Sequence, residues 1–149
     1  MLFRSMSTTQ PLVNLEAART VVAGALAHAR DNDLPPMTVA VLDAAGQLMA
    51  FAREDGSSLL RERIARGKAR GALNLGVGSR SLAARAATHP AFINSAVALA
   101  DSGLVPAAGG VLVRDNGDAV GVSGSLPDDD EACAVAGIAA AGLGADPGA

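Results

Sequence analysis

The chain has 149 residues, half of them apolar, with three Phe, no Tyr or Trp, one Cys and a net charge of −3. This length predicts one domain with a single core of small side chains, and the lone cysteine excludes an internal disulfide and favours a reducing compartment. The acidic balance and the scarcity of aromatic rings argue against a nucleic-acid partner, and the lack of a signal-like or membrane-length apolar segment predicts a cytoplasmic protein with no membrane contact.

The first part of the chain predicts a helix followed by a β-hairpin. Asn14 is placed to cap a helix with apolar residues at helical spacing, and this helix must end before "DNDLPP" because proline cannot continue it. "MTVAVLD" and "QLMAFARED" are predicted as strands around the turn "AAG", with Leu48, Ala50 and Ala52 on one face of the second strand. Residues 1–13 are expected to be flexible.

The middle of the chain predicts three helices. The first is long, ends at about Leu75 and has Ser57 or Ser58 as its cap. The second is short and capped by Ser79, and the third begins at Pro90, since proline is favoured at the first helical position.

The last part predicts a second hairpin and a final helix. "GGVLVRDNGDAVGVSG" has the pattern of two strands with a turn at "DNGD", and the helix that follows runs from Pro127 to about Ala141. Because the strands come in adjacent pairs, the predicted fold class is α+β. We expect a single domain over residues 14–141, with an antiparallel sheet built from β-hairpins, helices packed against it and a flexible tail over residues 142–149.

The stretch "VGVSGSLPDDDEACAVAG" predicts a strand end, a turn and a capped helix. A nucleophile elbow needs Gly-x-Ser-x-Gly, and here the last glycine is misplaced; a phosphate loop needs Gly-Lys-Ser/Thr, which does not follow. Ser125 fits the N-cap, and the acids at 128–131 suit the positive end of the helix dipole. A divalent cation on these acids is the alternative, but consecutive helical residues point to different sides, so we expect no metal site.

Positive charge is concentrated between residues 56 and 100, where seven basic residues accompany one acid. That segment carries +6, so the rest of the chain carries −9. The imbalance predicts a local anionic ligand or an acidic partner surface, and a solvated helix face is the alternative.

Two long segments resemble the GlcG/HbpS family. "PAAGGVLVRDNGDAVGVSGSLPDDDEACAVAGIAA" is similar to the family's C-terminal half, which has Pro-x-x-Gly-Gly-Val, a short hairpin, Gly-Val-Ser-Gly, a proline, an acidic pair and an alanine-rich helix. "TVAVLDAAGQLMAFAREDGSS" with "IARGKARGAL" resembles the N-terminal half. The resemblance covers residues 14–141, whereas "ATHPAFINSAVALADSGLVP" departs from the usual glycine-rich pattern.

The resemblance implies haem binding, in some members haem degradation, and a relation to the C-terminal domain of PduO-type corrinoid adenosyltransferases. It also implies a homo-oligomer, often an octamer. Axial ligands differ among members, so the family assigns no iron ligand to this chain.

A haem site needs an apolar slot, cations for two propionates and, as a rule, a side-chain ligand for the iron. His28, beside the apolar stripe of the first helix, and His89, at a predicted helix start, are the candidate ligands; a packed edge histidine and an exposed cap are the alternatives. Cys133 is expected to be a small packed residue rather than a thiolate ligand.

The candidate anion-binding residues lie on the long middle helix. Lys68 falls on its apolar line, where a lysine either reaches the surface or meets a carboxylate, a ligand or another subunit. Arg63, Arg66 and Arg70 share the neighbouring face and are predicted to bind propionates or other carboxylates of a small anionic ligand.

Two functions follow from these residues. The first is a binding protein for haem or a related tetrapyrrole, with Lys68 and the arginines on the acid groups. The alternative is a cofactor-independent enzyme, or its accessory subunit, for a small organic acid in a catabolic pathway, in which His89 moves a proton. A structural oligomer is the third possibility, since the small residues of the last helix suit close packing within or between subunits.

Overall fold

The structure is a computed structural model that describes residues 14–148, so the flexible segment expected at residues 1–13 lies outside the described residues. Its helices are α1 (Leu15–Asp31), α2 (Arg61–Leu75), α3 (Ser79–Thr88), α4 (Pro90–Leu99) and α5 (Pro127–Ala140). Its strands are β1 (Thr38–Leu42), β2 (Leu48–Arg53), β3 (Gly110–Val113), β4 (Ala119–Ser123) and β5 (Ala145–Asp146).

The five strands form one antiparallel sheet in the order β2-β1-β4-β3-β5. The main core lies between one face of the sheet and the pair α1 and α5, and it consists largely of Ala and Val. On the opposite face, α2 packs over Leu42 and Ala119 through Ala69. This three-layer arrangement confirms the α+β prediction and both predicted hairpins.

Helix α1 begins as the sequence predicts. The Asn14 side chain accepts a hydrogen bond from the Ala17 backbone N–H at 2.8 Å and caps the helix. Helices α1 and α5 then touch at Gly24 and Gly137, where an added Cβ on Gly137 would lie 2.3 Å from the Val21 carbonyl oxygen. The small residues of the last helix therefore serve packing inside this chain.

A pair of glycines brings α2 directly onto the sheet. Gly110 and Gly121 are cross-strand partners in β3 and β4. An added Cβ on Gly121 would lie 1.9 Å from the Ala65 carbonyl oxygen, and one on Gly110 would lie 2.2 Å from that of Lys68. Only glycine permits this approach, which fixes the position of every side chain on α2.

Three of the predicted helix caps are wrong: two of the serines contact distant segments instead, and the third bonds to side chains of the helix that follows it. Ser57 shares a 2.7 Å hydrogen bond with the Thr38 hydroxyl, and α2 begins after Leu60 with no side-chain cap. Ser79 is inside α3 after Gly78, and its hydroxyl bridges the Gly110 N–H and the Ala107 carbonyl.

The third case is at α5. Leu126, and not Ser125, occupies its N-cap position, with no side-chain hydrogen bond of its own. Ser125 lies one residue earlier and donates from its backbone N–H to Asp130 and from its hydroxyl to Asp129, both at 2.8 Å. The acidic side chains of the first helical turn thus reach back and accept hydrogen bonds from both donors of Ser125.

Two further expectations differ from the structure. The pairing of β1 with β2 shifts register between Val41 and Leu42, so Leu48 pairs with Leu42 and leaves the face shared by Ala50 and Ala52. At the C-terminus, the tail expected to be flexible contains β5, which pairs with β3 at the sheet edge. A two-residue strand has too little sequence pattern to be recognised without its partner strand.

Candidate functional site

A cavity of about 480 Å³ lies beside α2, and we call it the arginine cavity. Arg63, Arg66 and Arg70 line it from α2. The rest of its wall comes from Leu42, from residues 46–48 at the β1–β2 turn and from residues 101–103 after α4. The structure therefore brings the three predicted arginines together at one site.

Each guanidinium in the arginine cavity has a different hydrogen-bond or ion-pair partner. Arg63 donates to the Ser102 hydroxyl at 3.2 Å, and Arg66 pairs with exposed Glu62 at 3.5 Å. Arg70 donates to the Gly46 carbonyl at 2.8 Å and its aliphatic stem packs against Gly103. Arg70 is thus fixed by backbone contacts, whereas Arg63 and Arg66 have exposed partners that an anion can replace.

The rim of this cavity is built from backbone in an uncommon conformation. Asp101 and Ser102 both have positive φ, 49° and 70°, although neither is glycine. Such conformations cost about 1–3 kcal/mol each and are concentrated at functional sites. Asn74 holds the end of this loop by donating to the Gly103 carbonyl at 2.7 Å. The position of this loop against the arginines depends on the fold.

An apolar groove adjoins the arginine cavity at Arg70, and we call it the α2–α4 groove. It has a volume of about 480 Å³ and lies between the end of α2 and the outer face of α4. Phe92 and Leu99 line it and are 57% and 87% exposed, so the groove presents apolar surface to solvent. Arg70 lines both spaces, so the cationic and apolar surfaces are contiguous.

Lys68 lies away from the arginine cavity, although it is on the same helix. It is 3% exposed and donates to Asp130 Oδ2 at 2.9 Å and to the Val122 carbonyl at 3.0 Å. Burial lowers the pKa of Lys68 and raises the pKa of Asp130, while the attraction between the two charges opposes both shifts. We predicted that Lys68 either reaches the surface or meets a carboxylate, a ligand or another subunit. The structure shows the contact with a carboxylate, which joins α2 to the start of α5.

Neither histidine lines the arginine cavity or the α2–α4 groove. His28 is half-buried in the last turn of α1, on the opposite side of the sheet from α2. His89 is exposed between α3 and α4, where its Nδ1 lies 2.9 Å from the Thr88 hydroxyl, and it makes no capping hydrogen bond. The structure therefore does not bring the two histidines together with the arginines.

Asp118 is a buried carboxylate that the sequence analysis missed. It follows the β3–β4 turn, is 4% exposed and packs behind the β1–β2 turn. Within residues 14–148, its Oδ2 is the buried side-chain oxygen that lacks a hydrogen-bond partner. Burial raises the pKa of Asp118 to about 6; a hydrogen bond from the Ala44 backbone opposes the shift and the nearby Asp43 carboxylate adds to it.

The family comparison agrees with this fold. The model of the family described as haem degrading protein HbpS-like matches residues 13–139. The chain belongs to the HbpS-like family. This confirms the resemblance seen in the sequence motifs, whereas a search of curated protein sequences finds no significant match.

Solved structures share the architecture. The HbpS crystal structure is 30% identical, with a TM-score of 0.73 over 85% of this chain and 88% of HbpS. The crystal structure of a PduOC–haem complex is 21% identical, with a TM-score of 0.79 over 89% of this chain and 96% of the other. The ORFY protein of Klebsiella pneumoniae is also 21% identical, with a TM-score of 0.78 over 87% and 90% of the two chains.

The acidic run of this HbpS-like chain is distributed among different partners. Asp130 contacts Lys68, Asp129 contacts Ser125, and Asp128 and Glu131 both pair with Arg80. In the part of the chain that the structure describes, no group of three His, Cys, Asp or Glu side chains is arranged to hold a metal ion. No helix among the described residues is both long and apolar enough to cross a membrane.

Cys133 is fully buried in the core between α5 and the sheet. Burial, together with the negative charges of Asp130 and Asp129, raises the pKa of its thiol to about 12. The thiol is therefore protonated at neutral pH and packs as a small apolar side chain, as the sequence predicted.

Proposed function

We propose that this chain is a small-molecule-binding protein whose ligand is haem or a related tetrapyrrole, with the ligand's acid groups held in the arginine cavity. The observation that carries the proposal is the convergence of Arg63, Arg66 and Arg70 on one cavity. Guanidinium groups bind carboxylates through charge-assisted, often paired hydrogen bonds, and haem carries two propionates. The family description and the haem complex of PduOC support this ligand class.

The residues present fit such a ligand. Each guanidinium has five N–H donors, so the single bond from Arg70 to the Gly46 carbonyl leaves donors for a second acceptor. Arg66 can exchange its exposed partner Glu62 for a ligand carboxylate at little cost, since surface ion pairs contribute about 0–1 kcal/mol. Arg63 has an exposed hydrogen bond to the Ser102 hydroxyl, which a carboxylate can likewise replace. The arginine cavity therefore suits the acid edge of the ligand.

The alternative, an enzyme acting on a small organic acid, would use the same arginines to bind its substrate. It also needs a proton-transferring group next to the bound acid. His89, the residue predicted for that role, is exposed between α3 and α4 and does not line the arginine cavity. No observation favours this alternative, so binding is the function that we propose.

Haemin titrations followed by absorbance test the proposal. We expect the wild type to show a saturating one-to-one Soret change. Arg63→Gln and Arg66→Gln should each weaken binding about ten- to hundredfold, since hydrogen bonds to charged groups contribute about 1.5–3 kcal/mol. Arg85→Gln on α3 makes the same change of charge outside the arginine cavity and should bind as the wild type does. Non-saturating binding, or equal affinity in all four proteins, would reject the arginine cavity as the site.

A further inference from the structure

The α2–α4 groove provides an apolar surface next to the three arginines. Leu75 of α2, Phe92 and Leu99 of α4, and Leu104 line it, and Arg70 is the residue at which it meets the arginine cavity. Leu104 is buried at the base, while Phe92 and Leu99 are exposed at the edges. A ligand with one flat apolar part and one acidic edge is complementary to this arrangement of surfaces.

The side chains around both spaces include no strong ligand for iron. Among the described residues that line the arginine cavity and the α2–α4 groove there is no His, Cys, Met or Tyr, the residues that ligate haem iron in proteins. The polar groups of the groove are Asn74 and Ser95, besides Arg70. The recognition chemistry available here is burial of apolar surface and pairing with carboxylates.

We propose that the chain recognises dicarboxylic tetrapyrroles by their acid groups and their apolar ring, without a side-chain ligand on the metal. This inference rests on the proposed function and specifies its ligand class: the iron-bearing and the metal-free ring bind alike. The ring lies in the α2–α4 groove with Phe92 and Leu99 against its faces or edges, and the acid groups lie on Arg63, Arg66 and Arg70.

The energetic reason is that none of the contacts on these surfaces involves the metal. Burying apolar surface of the ring stabilises the complex in proportion to the area buried, whatever is bound at the centre of the ring. Charge-assisted hydrogen bonds to the propionates are likewise independent of iron. Methyl esterification of the propionates removes their charges and should therefore weaken binding more than removal of the iron does.

Three ligands test this inference on the full chain: haemin by absorbance, and protoporphyrin IX and its dimethyl ester by fluorescence. We expect haemin and protoporphyrin IX to bind within about threefold of each other and the dimethyl ester to bind at least tenfold more weakly. If none of the three saturates, the proposed function itself fails. If haemin binds more than about tenfold tighter than protoporphyrin IX, the metal contributes and only the present inference fails.

Variants locate the ring and test the histidines. Leu99→Ser and Phe92→Ser alter exposed side chains of the α2–α4 groove and should weaken both porphyrins about fivefold or more and to the same extent. Leu59→Ser, at an equally exposed leucine outside the groove, should leave both affinities unchanged. His28→Ala and His89→Ala remove the only two histidines of the chain, and a loss of haemin binding in either, with protoporphyrin IX unaffected, would overturn the inference.

Discussion

Lys68 Nζ lies 2.9 Å from Asp130 Oδ2, and the two side chains are 3% and 1% exposed. This ion pair joins α2, on one face of the sheet, to the first turn of α5 on the other. Asp130 also accepts a hydrogen bond from the Ser125 N–H, and Lys68 donates to the Val122 carbonyl, so both charged groups have polar partners besides each other. The pair is a structural clamp at the end of β4.

Removing one member of this pair should destabilise the protein strongly. Lys68→Met leaves the Asp130 carboxylate buried without its cation, and we expect a loss of about 3–5 kcal/mol in the free energy of unfolding, measured by urea denaturation. Combining Lys68→Met with Asp130→Leu should recover part of that loss because no charge then remains buried. Arg66→Gln breaks an exposed pair and is the control, with an expected change below about 1 kcal/mol. A similarly small effect of Lys68→Met would show that the Lys68–Asp130 ion pair does not stabilise the fold.

Asp118 should make stability fall as pH rises. Its pKa is raised from 3.8 to about 6. Below pH 4 the carboxyl is protonated in both folded and unfolded chains, so burying it costs no stability through ionisation. Between pH 4 and 6 the unfolded chain loses this proton first, which favours unfolding, and above pH 6 a constant penalty of about 3 kcal/mol in the free energy of unfolding remains.

Asp118→Asn should remove this pH dependence and raise the unfolding free energy at pH 7 by about 2–3 kcal/mol. Urea denaturation of wild type and variant from pH 4 to 8 measures the difference. The exposed Asp55→Asn substitution is a matched control that should track the wild type at each pH. Parallel curves for wild type and Asp118→Asn would show that Asp118 does not titrate in this range.

Gly121→Ala should prevent the close packing of α2 on the sheet. The added Cβ would meet the Ala65 carbonyl oxygen at 1.9 Å, and backbone on both sides leaves no flexible side chain to move. We expect a loss of about 3 kcal/mol or a failure to fold, at or above the upper end for overpacked cores. Gly144→Ala has its nearest neighbour at 3.4 Å and should keep a thermal midpoint within a few degrees of the wild type. If Gly121→Ala is equally stable, α2 does not lie where the structure has it.

Cys133 should resist thiol reagents in the folded protein. With a thiol pKa of about 12, only about one molecule in ten thousand carries the reactive thiolate at pH 8, and the side chain is also shielded from solvent. We expect no reaction with a chromogenic disulfide over an hour without denaturant, and complete reaction of one thiol per chain in 8 M urea. Rapid labelling of the native protein would place Cys133 at the surface.

Local sequence patterns determined most of the secondary structure and the family. Asn14 caps α1 because its contact is with Ala17, three residues away, and the turn at "DNGD" likewise depends on adjacent residues. The periodic arginines on α2 also predicted a common face, because residues spaced by a helical turn lie together wherever the helix packs. These features need no knowledge of the rest of the chain.

Only the tertiary structure decided the partners of residues that are distant in the chain. Ser57 and Ser79 form hydrogen bonds with other segments instead of capping helices. Lys68 contacts a carboxylate 62 residues away, and β5 forms by pairing with the edge strand β3. The candidate site likewise depends on residues that are distant in the chain. Three arginines of one helix line a cavity because the β1–β2 turn and a strained loop after α4 form its other walls. Spacing along a helix determines which side chains share a face. The residues that form the opposite wall of the cavity depend on how α2 packs against the glycines of β3 and β4.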